Sequence, residues 1–193
     1  MKAVVPALAA GTGVAVATTV LARRRVVHPA EREVFHAVND LPRGLAAPIT
    51  VVMQAGSFPA VFVTAGVERL AGHRRLAVAS ALAGTAVWAG CKVIKRSVGR
   101  GRPTDHLEHP TIRGAAQRGL GFPSGHAAVV VTLAGLVAPV LPRPARIGVW
   151  AVAATTAVAR VYVGAHLPLD VVGGAGVGLA AASAARLALG RHD

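Results

Sequence analysis

Residues 3–22 read AVVPALAAGTGVAVATTVLA, from Ala3 to Ala22, without one charged side chain. As a helix, this stretch covers about 30 Å, the thickness of a bilayer's hydrocarbon core. It is too long for the apolar core of a secretory signal, and Arg23-Arg24-Arg25 follows it, so it reads as a retained membrane helix. Residues 45–67, LAAPITVVMQAGSFPAVFVTAGV from Leu45 to Val67, form a second uncharged run of spanning length. Four shorter runs follow: Leu76–Cys91, Ala127–Leu141, Ile147–Ala159 and Val171–Ala185. Each reaches spanning length only with adjoining polar residues: Lys92 to Lys95, Pro123 to His126, Arg160 to Ala165, and Leu167 to Asp170. Those polar groups therefore belong at helix ends, close to one membrane surface.

Composition agrees. Of 193 residues, 53% are hydrophobic and 15% charged, against about 25% charged in ordinary globular chains. Mean hydropathy is +0.54. These values exclude disorder and an ordinary soluble fold. The 21 lysines and arginines outweigh eight acids to give a formal charge of +13, which calls for anionic partners. In so apolar a chain, lipid headgroups and phosphates suit that charge better than nucleic acid. A nucleic-acid binder needs a water-facing basic stripe with aromatic platforms, and aromatic residues are only 4% of the chain. The single cysteine, Cys91, rules out an intrachain disulfide framework and a cysteine-based zinc cluster.

The expected fold is all-α: a six-transmembrane helical bundle forming one domain over residues 1–193, in a cell membrane. Small residues throughout the runs suit close helix packing in lipid. Six spans place both termini on one side, with the 1–2, 3–4 and 5–6 connections together on the other. Lys2, Arg69, Arg74, Arg75, Arg143, Arg146, Arg186 and Arg191 fall on the side of the termini. Most basic residues therefore lie opposite. The positive-inside rule places that side in the cytoplasm only if those residues are free of ligand. Between the first two spans, Val34, Phe35, Val38 and Leu41 share a helical stripe, with Glu31 and Arg32 away from it. This segment is either an interfacial helix or a solvated connector.

Three blocks carry chemistry. The first, Lys95-Arg96-Ser97-Val98-Gly99-Arg100-Gly101-Arg102-Pro103, brackets a glycine-containing bend with two cations, Lys95 and Arg102. Alone it equally describes a solvated basic loop or a headgroup contact. The second, Phe122-Pro123-Ser124-Gly125-His126, runs straight into an apolar helix. A proline in the first turn leaves the amides of Ser124, Gly125 and His126 facing outward at the positive end of the helix dipole, a cradle for an anion. The third runs from Arg160 to Asp170. Outside the Arg143/Arg146 loop, the ionisable side chains between Gly119 and Ala185 are His126, Arg160, Tyr162, His166 and Asp170. Charges at membrane depth cost about 2.5–3.5 kcal/mol each on insertion scales, so they mark function more often than chance. Pro168 can start a helix that puts Asp170 in its first turn, where its carboxylate orients His166 four residues back and frees the other ring nitrogen as a nucleophile. An Arg160–Asp170 structural pair with a bystander histidine is the competing reading of this block.

Together the blocks bring three cations, a helix amino terminus, two histidines and one carboxylate to a single membrane face. That is equipment for phosphoryl transfer through a phosphohistidine.

The order Lys-x6-Arg-Pro, Pro-Ser-Gly-His and Arg-x5-His-x3-Asp closely resembles the type 2 phosphatidic acid phosphatase (PAP2) superfamily. The resemblance fixes ten positions between Lys95 and Asp170, and the span pattern extends it over most of the chain. It departs at Ala159, where the family commonly has serine, which removes one hydrogen bond to the phosphate or to a motif loop. The resemblance implies a membrane-embedded helical bundle that hydrolyses a lipid phosphate. It implies His166 as nucleophile, Asp170 as its orienting acid and His126 as general acid and then base. Lys95, Arg102, Ser124, Gly125 and Arg160 are implied as the phosphate-binding set, and no metal or other cofactor is implied. A polyprenyl phosphate or diphosphate carrier leads the substrates, with phosphatidic acid and phosphatidylglycerol phosphate next.

Asp105-His106-Leu107-Glu108-His109 is the one run that could suggest a metal. No third site of suitable spacing accompanies it. A lid or headgroup contact is the expected role for Thr104 to Leu120. Two other classes compete: a non-catalytic membrane protein that binds anionic lipid or transports a phosphorylated solute, and a vanadium-dependent haloperoxidase. The haloperoxidases sharing these motifs resemble longer, soluble chains.

Overall fold

Prolines occupy the first two positions of four helices, through Pro29, Pro59, Pro144 and Pro168. A missing N–H costs nothing there and the fixed φ favours helix entry. The computed structural model describes residues 3–190, which contain eight α-helices and no strand. They are α1 (Val4–Arg23), α2 (Pro29–Asn39), α3 (Ala46–Met53), α4 (Phe58–Leu70), α5 (Arg74–Val98), α6 (Gly125–Val137), α7 (Arg143–Tyr162) and α8 (Pro168–Leu189). Lys2 and Arg191, which entered the charge comparison, lie outside the described residues.

All six apolar runs are helical, but the second is not one helix. α3 and α4 meet at 67° across the 3-10 turn Gln54–Gly56. Two causes coincide. Pro59 enters α4 in its first turn, and Gly56 is buried against the start of α6. A Cβ at Gly56 would stand 2.5 Å from the His126 carbonyl oxygen and 2.9 Å from Thr156 Cγ2. Hydropathy registers neither constraint. By length and apolarity, α1, α5 and α8 can each cross a membrane, and the bent α3–α4 pair brings the number to four at most. The expected six is therefore not reached on that measure. α6 has only 13 residues, continued by the 3-10 turn Ala138–Val140, and α7 carries Arg146 and Arg160 towards its two ends.

α6 is short because it is the core. Every residue from Ala127 to Leu136 is buried, and α4, α5, α7 and α8 pack around it. A helix enclosed on all sides has no need of a polar stripe, so its uniform apolarity follows from its place. α8 reaches α1 through small residues. A Cβ at Gly176 would stand 2.8 Å from the Ala15 nitrogen, and one at Gly11 only 2.6 Å from the Ala180 nitrogen. Backbones that close gain dispersion contacts that larger side chains would forbid in lipid. The exterior is the reverse of a soluble protein's. Val16, Val63, Leu82, Val93, Ile147 and Val172 are exposed, whereas Arg100 and Asp170 are fully buried.

α2 corrects a sequence expectation. Phe35 and Asn39 are its buried residues, while Val34 and Leu41 are exposed. Its inward face also includes Glu31, whose side chain is 10% exposed and ion-paired. The buried stripe is thus rotated from the one that apolarity alone selects, because Glu31 has a buried arginine to meet. Asn39 anchors the far end of α2, donating to the carbonyls of Thr111, Val161 and Tyr162 at 2.9, 3.2 and 3.0 Å.

Glycine 56 supplies a test of this packing. Gly56→Leu should force the α3–α4 break away from α6 and cost about 1–3 kcal/mol through overpacking. A Cβ at Gly66 on α4 meets nothing within 4 Å, so Gly66→Leu should leave the thermal midpoint in detergent near that of the parent protein.

Candidate active site

Four helix ends meet at one end of the bundle: the last turns of α5 and α7 and the first turns of α6 and α8. The Ser124 amide ties the two amino termini by donating to the Asp170 carbonyl at 2.8 Å. This corrects two details of the expected anion cradle. Pro123 precedes the helix cap instead of opening the helix, and its peptide bond with Phe122 is cis. The Ser124 amide is committed to Asp170, so the outward first-turn amides of α6 begin at Gly125 and His126. A Cβ at Gly125 would meet nothing within 4 Å, so open space adjoins the start of the helix.

The three expected cations line this end. Lys95, in the last turn of α5, donates to the carbonyls of Leu120, at 3.1 Å, and Gly121. Arg102 donates through its Nη1 to Ala165 O at 2.6 Å and through Nε to Arg118 O at 3.2 Å. Arg160, in the last turn of α7, is 4% exposed and sets its Nη1 3.0 Å from Met53 Sδ. Its Nε and the Ser124 hydroxyl are buried without a hydrogen-bond partner in the protein.

His166 sits in the connection between α7 and α8 and is 3% exposed. Its Nδ1 lies 3.4 Å from Asp170 Oδ2. The predicted helix start at Pro168 holds, and Asp170 falls in the first turn of α8, accepting from the Leu167 amide at 3.1 Å. Burial, and after it the charges of Lys95, Arg160 and Arg102, with a smaller contribution from His126, hold the His166 imidazole well below the usual histidine range. Backbone contacts draw the same residues together: the His166 amide donates to Arg160 O at 3.1 Å, Arg102 bonds the carbonyl of Ala165 next to His166, and the Ser124 amide, two residues before His126, bonds Asp170 O.

The Arg160–Asp170 pair considered from sequence does not form. The arginine on Asp170 is Arg100, which lies inside the first motif and outside the phosphate-binding set that the motif implies. Arg100 Nη1 donates to Asp170 Oδ1 at 2.9 Å, and Arg100 Nη2 donates to Glu31 Oε2 at 2.7 Å. No signal in the motif spacing distinguishes Arg100 from its basic neighbours. Only the three-dimensional approach of α2 does.

The segment from Thr104 to Leu120 covers this end and is tied down at several points. Leu107 is buried with Val27, Phe35, Val161 and Leu167. Arg113 stacks 4.0 Å over the Tyr162 ring and donates to the carbonyls of Tyr162 and Leu41. In the Asp105–His109 run, Asp105 Oδ2 accepts from the Arg102 amide at 2.8 Å. Among the described residues, no three His, Cys, Asp or Glu side chains converge as a metal-binding group. Ala159 is buried beside Met53, Tyr162, Val163 and Ala165.

A helical bundle with an apolar exterior, enclosing a cation-lined histidine site at one end, defines a multi-pass membrane protein of a specific kind. The chain belongs to the PAP2 superfamily, whose family model matches residues 73–192 and so takes in all three motifs. Two solved structures share the fold. One is LpxE of Aquifex aeolicus, at 22% identity and a TM-score of 0.72 over 84% of this chain and 99% of that one. The other is the first transmembrane PAP2 type phosphatidylglycerolphosphate phosphatase from Bacillus subtilis, at 18% identity and 0.73, over 95% of this chain and 98% of that one. No match was found among the curated proteins.

The environment of His166 makes stability pH-dependent. Unfolded, its imidazole takes up a proton near the ordinary value of about 6.5, whereas the folded site resists protonation. The unfolded state therefore binds more protons on the acid side, so stability is full above that value and declines as pH falls below it. The thermal midpoint should be lower at about pH 5 than at about pH 7, and His166→Gln should narrow the difference.

Proposed function

We propose that this protein is an integral-membrane lipid phosphatase, one domain over its whole length, in a bacterial cell membrane. The observation carrying this reading is a buried His166 whose Nδ1 faces Asp170 at 3.4 Å, with its amide on Arg160 O and Arg102 bonded to the neighbouring Ala165 carbonyl. Three fixed cations with an open helix amino terminus suit a phosphoryl group. The partnerless donors Ser124 Oγ and Arg160 Nε are groups that phosphate oxygens would satisfy.

In the proposed mechanism, Asp170 keeps the proton of His166 on Nδ1, leaving Nε2 as the nucleophile. Nε2 attacks phosphorus in line, and the bond from phosphorus to the lipid oxygen breaks. His126 gives that oxygen its proton. Lys95, Arg102, Arg160, Ser124 and the Gly125 amide stabilise the equatorial oxygens. His126 then takes a proton from water, the resulting hydroxide attacks the phosphohistidine, and the P–N bond breaks to release phosphate. These residues supply the charge stabilisation and proton transfers without a metal ion.

A polyprenyl diphosphate or phosphate is the first proposed substrate, ahead of phosphatidic acid and phosphatidylglycerol phosphate. The apolar exterior accords with a substrate that arrives within the bilayer.

Purified protein in detergent should release phosphate from at least one lipid in a panel of polyprenyl diphosphate, phosphatidic acid and phosphatidylglycerol phosphate, and vanadate should inhibit it. His166→Ala should lower turnover by at least about 10⁴-fold, as removal of a covalent nucleophile does. EDTA should leave the rate unchanged. An active His166→Ala protein refutes the phosphohistidine route, and lipid binding without turnover identifies a non-catalytic anionic-lipid binder.

A further inference from the structure

The charged cluster behind Asp170 lies outside the phosphate-binding set. Arg100 has no exposed surface. Its Nη1 is shared between Asp170 Oδ1 at 2.9 Å and Glu31 Oε1 at 3.2 Å, and its Nη2 meets Glu31 Oε2 at 2.7 Å. Glu31 Oε1 also accepts from the Leu169 amide at 2.9 Å, one residue from Asp170. A buried arginine is costly to desolvate, and bonding to two carboxylates offsets that cost. The arrangement consequently joins α2, the basic loop after α5 and the first turn of α8 at one buried point.

We propose that Glu31 and Arg100 are positioning residues that set the Asp170 carboxylate against His166. A carboxylate turns easily about its terminal torsion. Arg100 holds Oδ1 and the Leu167 amide holds Oδ2, which fixes the carboxylate plane with Oδ2 towards His166 Nδ1. Glu31 has a second effect. An arginine serving Asp170 alone would neutralise it and weaken its attraction for the Nδ1 proton. Because Arg100 is divided between two acids, the three groups keep a net negative charge beside the imidazole. That charge holds the tautomer in which Nε2 is free and steadies the positive charge His166 acquires as it attacks.

The kinetic half of this proposal rests on the phosphatase reading, whereas its structural half does not. Full-length protein labelled with ¹⁵N-histidine is compared with Glu31→Gln, Arg100→Lys and Arg100→Met, the His166 signal being assigned by its loss in His166→Gln. The wild-type ring should show one tautomer, protonated on Nδ1, and Glu31→Gln and Arg100→Met should show a mixture. In phosphate release from polyprenyl diphosphate and phosphatidic acid, Arg100→Met should lose about 10- to 100-fold in kcat, the worth of one charged hydrogen bond. KM should stay within about threefold, because the phosphate ligands are untouched. Arg100→Lys should recover part of the loss.

If Arg100→Met does not fold, Glu31→Gln carries the same tautomer and kcat test. A single unchanged tautomer in the folded variants overturns the proposal, as does kcat equal to wild type. Absence of phosphate release by the wild type sinks the phosphatase reading alone, and the tautomer measurement still decides this one.

Discussion

The carboxylate and carbonyl of Asp170 hold the functional end of the molecule together. One residue accepts from the Arg100 guanidinium, the Leu167 amide and the Ser124 amide, and stands against His166. These contacts join the first turns of α6 and α8 to the loop that leaves α5. Inside an apolar bundle an unpartnered acid is very costly, so the surroundings must supply every one of its partners at once. The glycine-rich face of α8 lets the start of α6 come that close, since a Cβ at Gly174 would collide with the Ser124 carbonyl oxygen.

Much of the site was legible because hydropathy locates helix ends. Lys95, His126, Arg160 and Asp170 adjoin apolar runs, and alternation of direction along the chain sends them to one end. That inference required no knowledge of packing. The helix start at Pro168 and the proximity of His166 to Asp170 follow from local rules at a separation of four residues, and both hold. The charge on the motif arginines is equally plain from sequence, but their partners are not.

What escaped the sequence depends on contacts between distant segments. Glu31 and Arg100 are 69 residues apart, and an apolar-stripe criterion turns Glu31 away from the interior because it scores a carboxylate by its cost in isolation. The Gly56 break is similar. One of its causes is the backbone of α6, far along the chain, which hydropathy over the uninterrupted run from Leu45 to Val67 does not register. Length and apolarity alone also undercount the central helix, since α6 is short and enclosed by its neighbours. Ser124 shows how local rules can mislead by one position: its amide faces Asp170, and the anion-facing amides begin one residue later.

The contacts of Lys95 and Arg102 bear on turnover. Some of their donors are engaged with the carbonyl oxygens of Arg118, Leu120, Gly121 and Ala165. An anion that recruits these donors exchanges with oxygens already present, so its grip is the difference between two sets of bonds. Such exchange discourages tight retention of any anion held there.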